Sequence, residues 1–287
     1  MTSLRIGTAG WSYKDWEGVV YPEKPSRSFD SLVYLAGYFD VIEVNMTFYR
    51  LPEARITRDW VSRTKGNPEF RFTLKLHQNF THHPDQATAE DLKKWKEGIA
   101  PLVEVEKLGA VLLQFPYSFH CTAENQRYLA RLADCFPEYP LVVEVRHRSW
   151  DSPEAFQFLR DCNLGYCVID QPRVSYSILP LNLVTSPVGY IRLHGRNVRD
   201  WFRKSAGRDE RYNYFYTPAE ITEWRDRIET LAPRTRELYV IANNHFQGQA
   251  ACNALQLKSS ARGRRVAVPP PLLKAYPELK KIAGKKK

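Results

Sequence analysis

Eight short apolar runs, rich in β-branched and aromatic residues, recur along the 287 residues of this chain. Runs of this length and composition are typical of buried strands in a parallel sheet. They cover residues 4–8, 41–45, 71–76, 110–115, 141–146, 166–170, 190–194 and 238–242. Helical patterns separate most of them, so the predicted order alternates strand and helix along the whole chain.

Several of the intervening helices begin at recognisable caps. Thr88 precedes an apolar stripe and has Asp91 three residues on, which is the spacing of a capping box. Ser152 and Thr217 each stand before a proline at the first helical position. The connection after Asp170 shows no clear helix. Eight such repeats predict a single-domain α/β protein with a (β/α)8, TIM-barrel-like fold. A doubly wound open sheet is the alternative, but no glycine-rich phosphate loop follows any strand.

Composition and charge indicate the domain bounds, the kind of partner and the location to expect for this protein. We place the barrel domain at residues 1–260 and a basic tail, rich in proline and lysine, at 261–287. The formal charge of +10 favours an anionic partner such as nucleic acid, although basic residues in the tail also suit a solvated segment. Five cysteines without a C-x-x-C pair argue against a disulfide framework or a structural zinc site. With no signal-peptide core and no apolar stretch of about 18 residues, we expect a cytoplasmic protein without a membrane partner.

Charged and amide residues stand at the ends of several predicted strands, and this feature locates a site. Side chains alternate along a strand, so residues two apart share a face. The pairs that share a face are Glu43 with Asn45, Glu144 with Arg146, and Arg192 with His194. Their neighbours are apolar and suit the layer beneath the helices. Because barrel enzymes work at the carboxyl ends of their strands, we expect the polar set to point into the mouth of the barrel.

We assign four residues as catalytic candidates. Glu144 and His194 are the expected acid or base, since the pKa of an unperturbed histidine lies near neutrality. Glu43 and Asp170 are expected to orient groups or to bind a cation. The residues expected to bind the substrate are Trp11, Asn45, Tyr49, Lys75, Gln114, Arg146, Arg192, Arg196, Asn243 and Asn244. Two structural alternatives stay open: an ion-pair network that closes the barrel, for example Glu144 with Arg192, and a histidine bonded to a backbone carbonyl.

The segment after the seventh strand adds a second signal. Residues 196–216 interleave arginine and lysine with tryptophan, phenylalanine and tyrosine, and include Phe202 and Lys204. Cations and flat rings together suit a ligand with phosphates and planar groups. A long lid packed by its own aromatic rings is the alternative. His245 and the pair His82 and His83 lie in loops and are expected at the rim.

Several motifs in one order resemble a known family. They are Gly7-Thr8-Ala9-Gly10-Trp11-Ser12-Tyr13, Glu43-Val44-Asn45 with Thr47-Phe48-Tyr49, Glu144-Val145-Arg146-His147, Arg192-Leu193-His194-Gly195-Arg196 and Asn243-Asn244-His245. Over residues 6–257 the chain resembles the DUF72 (YecE-like) family of uncharacterised bacterial and archaeal proteins. It departs from the family at Ala9 and Met46, where serine is more frequent. The resemblance implies a TIM-barrel-like fold and implies little about activity.

Three functions fit these observations. The leading hypothesis is an enzyme that acts on a phosphate-containing ligand, a nucleic acid or a nucleotide, by acid–base or hydrolytic chemistry. A glycoside hydrolase is the second, because aromatic platforms and two carboxylates suit sugar chemistry. A nucleic-acid-binding barrel without catalysis is the third. No G-x-S-x-G elbow supports a serine nucleophile. We identify no cofactor and assign no metal ligands. A divalent metal stays open as an alternative, although only one histidine is expected at the mouth.

Overall fold

Eight parallel strands close into a barrel in which each strand pairs with the next along the chain and the eighth pairs with the first. The computed structural model describes residues 2–201, 203 and 205–284, and only the backbone of Arg208. Phe202, Lys204 and the three terminal lysines of the predicted tail lie outside the described residues. The strands are β1 (Ser3–Ala9), β2 (Val41–Val44), β3 (Arg71–Lys75), β4 (Leu108–Gln114), β5 (Leu141–Glu144), β6 (Gly165–Asp170), β7 (Val188–Leu193) and β8 (Glu237–Ala242).

Helices surround the barrel and fill most of the connections. They are α1 (Ser31–Ala36), α2 (Met46–Tyr49), α3 (Ala54–Arg63), α4 (Gln78–Thr81), α5 (Ala89–Glu104), α6 (Ala123–Cys135), α7 (Pro153–Asp161), α8 (Val198–Trp201), α9 (Arg208–Arg211), α10 (Pro218–Leu231), α11 (Gln249–Arg262) and α12 (Pro270–Ala275). Short 3-10 helices cover Lys14–Trp16, Pro84–Gln86, Arg148–Trp150, Ala232–Arg234, Phe246–Gly248 and Pro277–Lys281. None of the helices in the described ranges combines the length and apolarity that crossing a bilayer requires.

The predicted fold class is confirmed, and so are the helix starts. Thr88 and Asp91 form the reciprocal capping box at the start of α5. The hydroxyl of Ser152 accepts from the backbone N–H of Ala155 at the start of α7, where Pro153 occupies the first position. Thr217 and Glu220 form the second capping box, at the start of α10. No helix fills residues 171–187 between β6 and β7.

The C-terminal segment differs from the expected tail. Helix α11 continues to Arg262, and a small parallel pair follows, β9 (Val266–Ala267) with β10 (Ala283–Gly284). Between them, Leu272 and Leu279 are fully buried. The proline and lysine content of residues 261–287 suggested a solvated segment, but the apolar residues spaced through it give it a face that packs against the core. Burial of such side chains stabilises the packed arrangement by about 1.5–3 kcal/mol each.

Lys107 holds the turn between α3 and β3 against the start of β4. Its ammonium donates to the backbone oxygens of Asn67 at 2.9 Å, Thr64 at 3.3 Å and Phe70 at 3.4 Å. Hydrogen bonds to a charged group contribute about 1.5–3 kcal/mol. Lys107→Met is therefore expected to lower the free energy of unfolding by about 2–3 kcal/mol in urea denaturation, whereas Lys93→Met, on the exposed face of α5, serves as the control. Equal midpoints for the two variants would contradict this role.

Candidate functional site

A cavity of about 580 Å³ opens at the carboxyl end of the strands. Side chains from the strand ends form its floor, and side chains from the following loops form its walls. The lining residues are Tyr13, Asn45, Tyr49, Lys75, Gln114, Tyr117, Arg146, Arg192, Trp201, Arg211, Tyr212, Asn243 and His245. Seven of the ten residues expected to bind the substrate therefore lie together at this cavity.

A buried ion-pair network lies beneath the floor. Arg192 donates from Nη2 to Glu43 Oε1 at 2.6 Å and from Nη1 to Glu144 Oε2. Both glutamates are 0% exposed. The hydroxyl of Tyr190 donates to the other oxygen of Glu43 at 2.9 Å and accepts from the hydroxyl of Thr73 at 2.7 Å. The two carboxylates are thus satisfied from within the barrel, as the ion-pair alternative predicted for Glu144 and Arg192.

Arg146 links this network to the cavity. It donates to Glu144 Oε1 from Nη2 at 2.7 Å and from Nε at 3.0 Å, and its side chain is 12% exposed. Burial acts to raise the pKa of Glu144, but the charges of Arg192 and Arg146 outweigh it and hold that pKa well below its usual range. Glu144 is therefore a permanent anion at neutral pH, covered by guanidinium groups on its cavity side.

His194 is fully buried and does not line the cavity. Its Nδ1 accepts from the side-chain amide of Asn243 at 2.9 Å, which leaves the proton of the neutral ring on Nε2, 3.5 Å from Glu144 Oε1. Burial lowers the pKa of His194 to about 3. The ring is therefore neutral at physiological pH. Its hydrogen-bond partner is the side-chain amide of Asn243, whereas the structural alternative given in the sequence analysis was a backbone carbonyl.

Lys75 ends β3 and faces the cavity. Its Nζ donates to Gln114 Oε1 at 2.9 Å and lies 4.0 Å from the centre of the Phe48 ring. Burial, followed by the charge of Arg192, lowers the pKa of Lys75 to about 7. Among the ion pairs of the described residues, none joins Lys75 to a carboxylate. The protonation state of Lys75 therefore changes near neutral pH.

Aromatic rings and a further cation form the walls. Trp201 and Tyr212 pack edge to face at 5.3 Å, and Tyr13 stacks on His245 at 4.6 Å. Arg211, at the end of α9, adds a guanidinium to the lining. The basic and aromatic segment predicted from residues 196–216 thus contributes directly to the cavity. His245, which was expected at the rim, is only 2% exposed and belongs to the wall.

The sequence prediction missed Tyr117 and did not assign Tyr13, Trp201, Arg211, Tyr212 or His245 to the site. Tyr117 lies three residues beyond Gln114, in the loop after β4, and its position relative to that strand end was the available signal. For the loop after β7, the signal was its content of basic and aromatic residues. That content does not identify which side chains of the loop point into the cavity.

Asp170 and Arg196 lie outside the cavity, contrary to the expectation that they point into the mouth. Asp170 accepts from Arg196 Nε at 2.9 Å and from the indole N–H of Trp224 on α10 at 3.2 Å. Arg196 also donates to Glu220 at 3.1 Å and Glu223 at 3.0 Å. On β6 the side chain of Asp170 therefore faces the helical layer. The pair ties the loop after β7 to α10.

Two other predicted binding residues also serve the scaffold. The ring of Trp11 packs edge to face on Trp60 at 5.7 Å. Asn244 donates to the backbone oxygen of Tyr214 and to the side chain of Asn253, both at 2.8 Å. Neither residue lines the cavity. In residues 2–201, 203 and 205–284, no group of three or more histidine, cysteine, aspartate or glutamate side chains is placed to hold a metal ion.

Comparisons with known proteins agree with this architecture. The sequence profile of the family "Protein of unknown function DUF72" matches residues 5–277. UPF0759 protein YunF of Bacillus subtilis is 30% identical over 269 residues, which cover 88% of this chain and 93% of that protein. A DUF72 family protein from Thermotoga maritima, of known crystal structure, is 35% identical with a TM-score of 0.80, over 91% of this chain and 99% of its own. A DUF72 family protein from Enterococcus faecalis gives a TM-score of 0.80 at 27% identity, over 90% and 95% of the two chains. The chain therefore belongs to the DUF72 family.

Proposed function

We propose that this protein is an enzyme that binds a small phosphate-containing ligand in the mouth of the barrel and acts on it by acid–base chemistry. The observation that carries the proposal is the charge of the cavity lining, to which the described residues contribute four cationic side chains and no carboxylate. These cations are Lys75, Arg146, Arg192 and Arg211. Such a lining favours an anion, and arginine in particular suits the geometry of phosphate oxygens.

The buried glutamates do not cancel this charge. Glu43 and Glu144 together balance Arg146 and Arg192, because two carboxylates face two guanidinium groups. Arg211 is left over, since no ion pair between it and a carboxylate occurs within the described part of the chain. Lys75 adds a further charge when it is protonated. The cavity thus keeps a positive field that an anionic ligand would neutralise.

The rest of the lining indicates what the phosphate is attached to. Asn45, Gln114 and Asn243 bring amide groups that can hydrogen-bond hydroxyl or carbonyl groups. Tyrosine and tryptophan rings offer flat faces on the walls. A volume of about 580 Å³ falls within the range of about 300–1,000 Å³ that is usual for small-molecule sites. A nucleotide or a sugar phosphate has the matching groups and size.

The same geometry argues against the glycoside hydrolase alternative. A glycosidase needs one carboxylic acid whose pKa is raised so that it can protonate the leaving oxygen. The pKa of Glu144 is shifted in the opposite direction, and both glutamates lie under the guanidinium of Arg192. The carboxylates therefore act in this proposal as counter-ions that position two arginines.

Arg211→Gln tests the proposal with little risk to the fold, because Arg211 has no buried carboxylate to neutralise. We expect pyrophosphate and a nucleoside monophosphate to bind the wild type in calorimetric titration and to bind the variant about ten-fold more weakly, since a charge-assisted hydrogen bond contributes about 1.5–3 kcal/mol. Arg225→Gln, on the outer side of α10 beside Asp226, is the matched control with unchanged affinity. Wild-type protein that binds neither compound, or that binds only long oligonucleotides, would overturn the proposal.

A further inference from the structure

We propose that Lys75 is a nucleophile that forms a Schiff base with the carbonyl group of the substrate. The inference rests on the proposed function, which supplies the phosphate-binding site. It adds the substrate class: a small phosphorylated aldehyde or ketone, such as an open-chain sugar phosphate. Lys75 lies at the carboxyl end of β3 and lines the cavity, so its amine meets whatever ligand occupies the mouth.

Lys75 differs from the other buried lysines of the described chain in what surrounds its amine. Lys107 donates to three backbone oxygens. Lys258 pairs with Asp40 at 2.9 Å and donates to a backbone oxygen. Lys75 has one hydrogen bond, to the neutral amide of Gln114, and an aromatic face beside it. The first two amines are bound into the scaffold, whereas the amine of Lys75 has no carboxylate in ion-pair contact among the described residues.

The position of this amine is fixed from both sides. The hydroxyl of Thr47 on α2 donates to the backbone oxygen of Lys75 at 2.7 Å, which anchors the end of β3. Phe48, the next residue, places its ring against the ammonium at 4.0 Å. Arg146 and Arg192 line the same cavity and can hold the phosphate of a ligand whose carbonyl carbon faces Nζ. A desolvated lysine beside other cations is the arrangement that enzymes use to keep an amine unprotonated and reactive.

The chemistry needs only the amine and the carbonyl compound. The lone pair of the neutral Nζ attacks the carbonyl carbon, a C–N bond forms, and the carbonyl π electrons move to oxygen, which takes up a proton. Nitrogen then loses a proton, the hydroxyl is protonated and leaves as water, and a C=N bond remains. One water is released for each imine, and nothing is oxidised or reduced. The protonated imine withdraws electrons from the adjacent carbon, which suits proton transfer or carbon–carbon cleavage there.

The test uses pyridoxal 5′-phosphate purely as an aldehyde that carries a phosphate, with cyanoborohydride to reduce any imine and peptide mass spectrometry to locate it. At pH 7 we expect Lys75 to be labelled at least ten-fold faster than the exposed Lys93 and Lys94, since an ordinary lysine, with a pKa of about 10.4, is almost fully protonated there. The labelling rate at Lys75 should reach half its maximum near pH 7. Pyridoxal, which lacks the phosphate, should react at Lys75 much more slowly, and pyrophosphate should protect it.

The outcomes separate this inference from the proposed function. If pyrophosphate binds but Lys75 is labelled no faster than Lys93, the Schiff-base inference fails and the phosphate site stands. If Lys75 is labelled rapidly and equally by pyridoxal and its phosphate, without protection, the amine is reactive and the phosphate site fails. Lys75→Arg keeps a cation at this position, so it should give a wild-type circular dichroism spectrum while losing the labelled peptide. Unchanged total labelling of that variant at pH 7 would also overturn the inference.

Discussion

Replacing Arg192 with methionine is expected to lower the free energy of unfolding by about 3–5 kcal/mol. The guanidinium bonds Glu43 at one end and Glu144 at the other, and both carboxylates are inaccessible to water. Removing it leaves Glu43 with the hydroxyl of Tyr190, and leaves Glu144 with Arg146 and the more distant Nε2 of His194. A buried carboxylate without its counter-ion is costly because the interior cannot replace water as a solvent. Urea denaturation monitored by circular dichroism measures the loss.

The triple variant Arg192→Met, Glu43→Gln, Glu144→Gln separates lost charge balance from lost packing. It should recover much of the stability, since neutral amides no longer require a counter-ion. Arg225→Met, at an exposed ion pair on α10, should change the unfolding free energy by less than about 1 kcal/mol. An Arg192→Met variant as stable as the Arg225→Met control would show that the network beneath the cavity does not hold the barrel together.

Acidification should reduce the penalty of the Arg192 variant. In the wild type the folded pKa of Glu144 is lowered, so its contribution to stability is complete above the unfolded pKa of about 4.3 and is lost as pH falls through the folded value. In the variant, burial without Arg192 favours protonation of that carboxyl group, so the variant loses stability as pH rises instead. The difference between the two proteins should therefore shrink between pH 7 and pH 4.

The barrel was predictable because its signal is periodic and local. Each strand is a short apolar run, and caps such as Thr88 and Thr217 mark where the chain turns back along the outside. Alternation of side chains also placed Glu43, Glu144 and Arg192 on the inner face, where the structure has them. These inferences need only the geometry of one strand or one helix turn.

Alternation failed at β6, although this strand is no more buried than β2 and β5. Its only charged residue is the last one, so residues 165–170 give no alternation of apolar and charged side chains that would mark the inner face. Asp170 was assigned to the mouth because it ends a strand, yet its partners are Arg196 and Trp224 on the helical side. Which face a terminal carboxylate takes depends on the stagger of neighbouring strands, and that is a property of the closed barrel.

The depth of a strand-end side chain below the cavity is a second property that the sequence of one strand does not determine. Glu144 and Lys75 both stand at strand ends, but two arginines cover the glutamate while the lysine reaches the cavity. Only the assembled barrel reveals that ordering, since it arises from contacts between β3, β5 and β7. The acid–base role assigned to Glu144 and His194 stays a prediction, and the position of Lys75 at the cavity favours a proposal centred on that residue.

Glu144→Gln should have opposite effects on stability and on ligand affinity. The substitution removes a negative charge from beneath Arg146 and Arg192. Among the described residues, it leaves Arg192 paired with Glu43 and Arg146 without an ion pair. We expect the free energy of unfolding to fall by about 2–4 kcal/mol, since a buried charged partner is lost. We also expect pyrophosphate to bind about five-fold more tightly, because the field in the cavity becomes more positive.

Glu223→Gln is the matched control for that result. It makes the same chemical change, but Glu223 pairs with Arg196 outside the cavity, so the affinity for pyrophosphate should stay unchanged. If Glu144 were instead the general acid or base, its substitution would abolish turnover while leaving affinity the same. Tighter binding of pyrophosphate by the Glu144 variant, with unchanged affinity in the Glu223 control, would show that this carboxylate neutralises part of the charge of the arginines above it. Weaker binding in the Glu144 variant would mean that the carboxylate positions those arginines for the ligand more than it neutralises them.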